Sequence, residues 1–89
     1  MSNMVNTFAD LIKAKRAEKN LTRSEMARRV GITPQYAMEI ERGSIIPNED
    51  KIEGLIEVLE LDERIAFQLA DKIPLRVYEK AKEEYFNEE

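Results

Sequence analysis

Polar side chains crowd the stretch from Leu21 to Gly43, L-T-R-S-E-M-A-R-R-V-G-I-T-P-Q-Y-A-M-E-I-E-R-G. Its groups are hydroxyls, one primary amide, carboxylates and guanidinium ions, which suit hydrogen bonding and charge recognition rather than bond-making. Histidine and cysteine are absent from all 89 residues. The commonest general base, the thiolate nucleophile and the preferred zinc and haem ligands are therefore missing. The carboxylates are spread along the chain rather than set against a nucleophile, and no glycine-rich phosphate loop is present. No catalytic residue, metal or cofactor is expected. A chain without cysteine also suits a reducing compartment.

Groups of this kind act only when something holds them, and the same stretch specifies its own scaffold. Thr22 and Glu25 form a Thr-x-x-Glu capping box that starts a helix, along which Met26, Ala27 and Val30 recur at helical spacing. Gly31 supplies the positive φ of a tight turn, and Ile32 returns to the core. Thr33 caps a second helix with Pro34 in its first position. Tyr36, Ala37 and Ile40 form that helix's buried stripe, and Gly43 ends it. Two helices crossed over so short a turn leave the N-terminal half of the second facing outward, able to enter a DNA major groove.

Further helices flank this pair. One is expected from about Thr7 to Lys19, with Phe8, Leu11 and Ile12 inward, the Lys15 stem along the core edge and Asn20 at its end. Met1 to Asn6 should fray. Ser44 to Asn48 reads as a loop closed by Pro47, with Asn48 capping a helix of Ile52, Leu55, Ile56 and Leu59. The Ile45–Ile46 pair is read as core packing, with a subunit interface as the alternative. Asp62 opens a fifth helix that turns Ile65, Ala66 and Leu69 inward with Phe67 beside them. Pro74 breaks the chain and opens a sixth helix to roughly Tyr85. The expectation is an all-α fold, five helices plus a C-terminal sixth, divided into residues 1–73 and 74–89.

Charge is distributed unevenly. The chain carries a net charge of −4, a poor balance for a polyanion ligand if spread evenly. From Met1 to Ser44, however, eight cations face five anions, and from Ile45 to Glu89 six cations face thirteen anions. The basic half contains the paired helices, as a DNA-facing surface with an acidic back would. No apolar run is long enough to span a membrane and no signal-peptide core opens the chain, so a soluble, cytoplasmic protein is expected.

The segment resembles the DNA-binding domain of the Cro/C1 (Xre) family of phage repressors and bacterial regulators. L-T-R-S-E-M-A, V-G-I-T and I-E-R-G carry the likeness, which extends from about Phe8 to about Phe67. It implies a lambda-repressor-like bundle in which helices 2 and 3 form the helix-turn-helix. It also implies that Pro34, Gln35, Met38 and Glu39 face base edges. Gln35 is the leading reader, because its amide donates and accepts at once and matches adenine. Met38 would meet a thymine methyl, Glu39 a cytosine amino group, and Pro34 would offer an apolar surface. Arg23, Thr33, Tyr36, Arg42 and Ser44 would meet phosphates, helped by the N-terminal amides of the second helix. Arg16 is assigned to a pair with Glu41 that holds the first helix to the third. Arg28 and Arg29 are read as a solvated face. Two departures stand out: the Ser44-Ile45-Ile46 loop lacks the basic residues common in relatives, and Glu39 adds a negative charge to the reading surface. The lost phosphate partners predict weaker, less salt-sensitive binding.

The tail carries Leu75, Tyr78, Ala81 and Tyr85 on one face, with Val77 and Phe86 on its flank. It either folds over its own domain or pairs two subunits, since so short a helix is marginal alone. Two function classes follow. The first is a dimeric, sequence-specific DNA-binding regulator of transcription, most simply a repressor. The second is an antitoxin-like interaction module that binds a partner protein, a toxin or another regulator, through its acidic C-terminal half. An enzyme is not expected.

Overall fold

The computed structural model describes residues 5–87. Of the segment expected to fray, Met1 to Met4 lie outside the described residues. Six helices and no strand make up the described part: α1 (Phe8–Glu18), α2 (Arg23–Val30), α3 (Pro34–Arg42), α4 (Glu49–Leu59), α5 (Glu63–Ala70) and α6 (Leu75–Phe86). The fold is all-α, as the hydrophobic spacing predicts.

Local chemistry sets the helix starts. Thr7, Thr22, Thr33, Asn48 and Asp62 each accept a hydrogen bond from the backbone N–H three residues on, satisfying one donor that a helix start leaves open. At α2 the box is reciprocal, because the Thr22 N–H also donates to Glu25 Oε1 at 3.0 Å. That bond, more than any other cause, holds the Glu25 carboxyl below its ordinary pKa. The Thr22 hydroxyl, Arg29 and Arg28 act the same way, and burial opposes them.

Helix ends share one device. Asn20, Gly31, Gly43, Glu60 and Asp71 adopt left-handed backbone angles. The residue after each donates its N–H to a carbonyl five positions back, from Leu21 to Arg16, Ile32 to Ala27, Ser44 to Glu39, Leu61 to Ile56 and Lys72 to Phe67. This is the Schellman closure, which caps otherwise orphaned carbonyls. Gly31 and Gly43 hold φ of 89° and 80° in the two turns that bound α3, where a Cβ would be strained.

Phe8, Ile12, Met26, Ile40, Ile52, Leu55 and Leu59 are wholly buried and form one core shared by α1 to α4, closed by Leu61, Ala66, Phe67 and Ala70 at the α5 end. α3 packs on α1 and α2, while α4 packs on α1, α2 and α5. α3 thus rests on a floor made by α1 and α2, which α4 supports from behind.

The structure corrects two expectations. Ile65 is 47% exposed, because α5 turns Ala66, Phe67 and Ala70 inward and that arc leaves Ile65 on the outer side. In the Ile45–Ile46 pair only Ile45 packs on the core, while Ile46 is 45% exposed. For the C-terminal helix, where two arrangements were open, the apolar face is not buried on its own domain. No α6 residue is buried, and α6 has no extensive packing against another helix. Arg76 ties its first turn to Glu53 and Glu63 by ion pairs, and Tyr85 and Phe86 at the far end are the most exposed of its large apolar side chains.

Candidate nucleic-acid interface

α3 buries Ala37, Ile40 and Glu41 and turns Thr33, Pro34 and Gln35 outward. Met38 and Glu39 lie half-buried one turn further along, beside the exposed arc. The four residues expected to read bases therefore fall on one accessible edge, with Pro34 and Gln35 the most open. Gln35 and Glu39 also touch: Gln35 Nε2 donates to Glu39 Oε2 at 3.1 Å.

The residues expected at phosphates are distributed around that edge. Arg42 and Ser44 are exposed at the C-terminal end of α3, and Thr33 is exposed at its start. The Thr33 hydroxyl oxygen accepts from the Tyr36 N–H at 3.0 Å, so its own proton remains available to a phosphate oxygen. Tyr36 is half-buried and packs on the core. Arg28 and Arg29 are exposed.

Beneath α3 lies a buried ionic hub. The Glu41 side chain is 1% exposed. It accepts from Arg16 Nε at 2.6 Å and Arg16 Nη2 at 3.0 Å, a bidentate pair joining α1 to α3. The remaining Arg16 nitrogen donates to the Leu21 carbonyl at 2.9 Å, which also fixes the entry to α2. The hydrogen bond to Glu41 raises the Arg16 pKa above its ordinary value, aided by charge attraction and opposed by burial. No buried side-chain polar atom among the described residues lacks a partner.

Arg23 joins the same hub, its Nε donating to Glu41 Oε1 at 3.2 Å. Sequence reasoning assigned Arg23 to phosphate and missed this tie. A signal was present: Glu41 follows Ala37 by four positions and so falls on the inward face of α3, where a carboxylate needs cationic partners. Because the bond uses Nε, the terminal amino groups stay available at the start of α2. Two guanidinium ions on one carboxylate leave the hub with a net positive charge.

The helix-turn-helix family profile matches residues 12–65, more than half of the chain. The chain belongs to the Cro/C1-type helix-turn-helix family. That family is one of DNA-binding regulators, and α2 and α3 are its helix-turn-helix pair. The match ends within α5, so α6 lies outside the helix-turn-helix region. The chain is also similar to the ImmF control region 10 kDa protein of Bacillus phage phi105, at 36% identity over 52 residues. That alignment covers 58% of this chain and 58% of the phage protein, so the chain spans a little over half the length of that relative. No solved structure matches at a significant level. Among the described residues no group of histidine, cysteine or carboxylate side chains could hold a metal ion, and no helix is long and apolar enough to cross a membrane.

Proposed function

We propose that this helix-turn-helix chain is a sequence-specific transcriptional regulator that binds a two-fold operator as a homodimer and excludes polymerase from the promoter. The observation that carries the reading is the outward N-terminal half of α3, with Gln35 exposed at its tip and Ala37, Ile40 and Glu41 anchored beneath. Gln35 pairs with an adenine edge, Met38 lies against a thymine methyl and Pro34 adds apolar surface. Arg23, Thr33, Tyr36, Arg42 and Ser44 hold the phosphates on either side. Residues 1–73 form the DNA-binding unit, and residues 74–89 join two copies through Leu75, Tyr78, Ala81 and Tyr85. The similarity to a phage control-region protein supports a phage-type repressor. Such a protein works in the cytoplasm, where the DNA is, and performs no catalysis.

Selection from a pool of random duplexes, followed by footprinting, tests this reading. The expected product is a site of two inverted halves about one helical turn apart. Gln35→Ala should cost on the order of 1–3 kcal/mol on the selected site and little on random DNA. Arg23→Ala should weaken both alike and reduce the salt slope by about 1. Equal losses for Gln35→Ala on both kinds of DNA would remove Gln35 from base reading.

A further inference from the structure

We infer that Glu39 is a positioning residue that locks the Gln35 amide in one orientation and thereby makes the site select adenine over guanine. The inference rests on α3 facing DNA, and it reassigns Glu39 from direct contact with a cytosine.

The geometry is a hydrogen bond between successive turns of α3. Gln35 Nε2 donates to Glu39 Oε2 at 3.1 Å, with both side chains on the face that Ala37 and Ile40 leave outward. An ionised carboxylate only accepts hydrogen bonds, whereas a primary amide carries a donor side and an acceptor side. Turning the amide over would bring Gln35 Oε1 against Glu39 Oε2, two acceptors with no proton between them. Glu39 therefore fixes the nitrogen on its own side and leaves the oxygen on the other.

Base selection follows from what remains. Of the two Nε2 protons, one is held by Glu39, so the free edge offers one donor and one acceptor. Adenine presents the complement, an N7 acceptor beside an N6 donor. Guanine presents two acceptors, N7 and O6, and would set O6 against the fixed Oε1. A groove closed over α3 excludes water and strengthens the Gln35–Glu39 bond when it matters most. A negative charge on a surface that approaches phosphates is otherwise a liability, and this role accounts for its presence.

The test compares wild type, Glu39→Ala, Glu39→Gln and Gln35→Ala on the selected duplex and on the same duplex with its adenine·thymine pair changed to guanine·cytosine. Wild type should prefer adenine by about 10- to 100-fold, the span of one well-made bidentate contact. Glu39→Ala should bind both duplexes more tightly, having lost a carboxylate near phosphates, while the preference falls below about threefold. Glu39→Gln should lose the preference likewise, because its amide can accept or donate and permits both Gln35 orientations. Far-UV circular dichroism controls for folding. An unchanged adenine preference in Glu39→Ala overturns the inference, and so does a loss confined to a neighbouring cytosine. A wild type that selects no site at all overturns the underlying assignment of α3 to DNA, and this inference with it.

Discussion

Glu41→Ala is expected to lower stability by about 3 kcal/mol, the cost of leaving a buried charge without its partner. Arg16 would suffer most, since its side chain is only 20% exposed and two of its three nitrogens bind Glu41. Arg23, at 43% exposed, can turn to water and adds little to the loss. For a domain of this size the midpoint of thermal unfolding should drop on the order of 15 °C. Glu41→Gln keeps an acceptor and should lose less. Replacing the pair together, Arg16→Met with Glu41→Leu, should recover much of the stability, because packed apolar side chains can equal a buried ion pair. Denaturant and thermal melts followed by circular dichroism check all three. A change in Glu41→Ala below about 0.5 kcal/mol would mean that the hub does not hold α1, α2 and α3 together.

Removing the apolar face of α6 should have an equally large effect, on binding rather than folding. Tyr78 and Tyr85 are 54% and 75% exposed, and Leu75, Val77 and Phe86 are exposed beside them. A 12-residue helix with no buried side chain is marginal in water and gains its stability by packing on something. The double substitution Tyr78→Ser with Tyr85→Ser should turn a dimer into a monomer in sedimentation velocity. Operator affinity should then fall by about a hundredfold or more, because two linked half-sites bind through their effective concentration. The melting of the five-helix core should barely change, since Tyr78 and Tyr85 are exposed and the Arg76 ion pairs that tie α6 to Glu53 and Glu63 are left in place. A wild type that sediments as a monomer would contradict the dimer assignment, as would a double variant that stays dimeric.

Elements whose starts and ends are set by near neighbours are legible in the sequence. Thr22 with Glu25, Gly31, Thr33 with Pro34, Gly43 and Asn48 each act within a few residues, so their chemistry can be read in order along the chain. Asn20 was legible as a left-handed residue for the same reason. Glu60 and Asp71 adopt that conformation without any preference strong enough to announce it. Their turns follow from the Schellman closure and, at Glu60, from the burial of Leu61, which is tertiary information. The outward position of Ile65 is hidden in the sequence because three consecutive apolar residues, Ile65, Ala66 and Phe67, with Leu69 beyond Gln68, allow more than one face to turn inward. Packing of Phe67 and Ala70 decides between them.

The site shows the same division. Which residues lie at the start of α3 follows from Thr33 and Gly31, and the Arg16–Glu41 pair followed from the family resemblance and is present in the structure. The link from Arg23 to Glu41 joins positions 18 apart and depends on how α2 crosses α3, so sequence spacing alone does not reveal it. Gln35 and Glu39 are four apart on one helix, and their hydrogen bond was readable.

Whether the outer edge of α3 meets DNA is reported most directly by backbone amide shifts in a ¹⁵N-labelled sample titrated with a short duplex at low salt. The largest shifts are expected on Thr33 to Glu39 and at the start of α2, around Thr22 and Arg23, with α6 little changed. Shifts concentrated in α5 and α6, with Gln35 and its neighbours unmoved, would contradict the assignment of α3 to DNA.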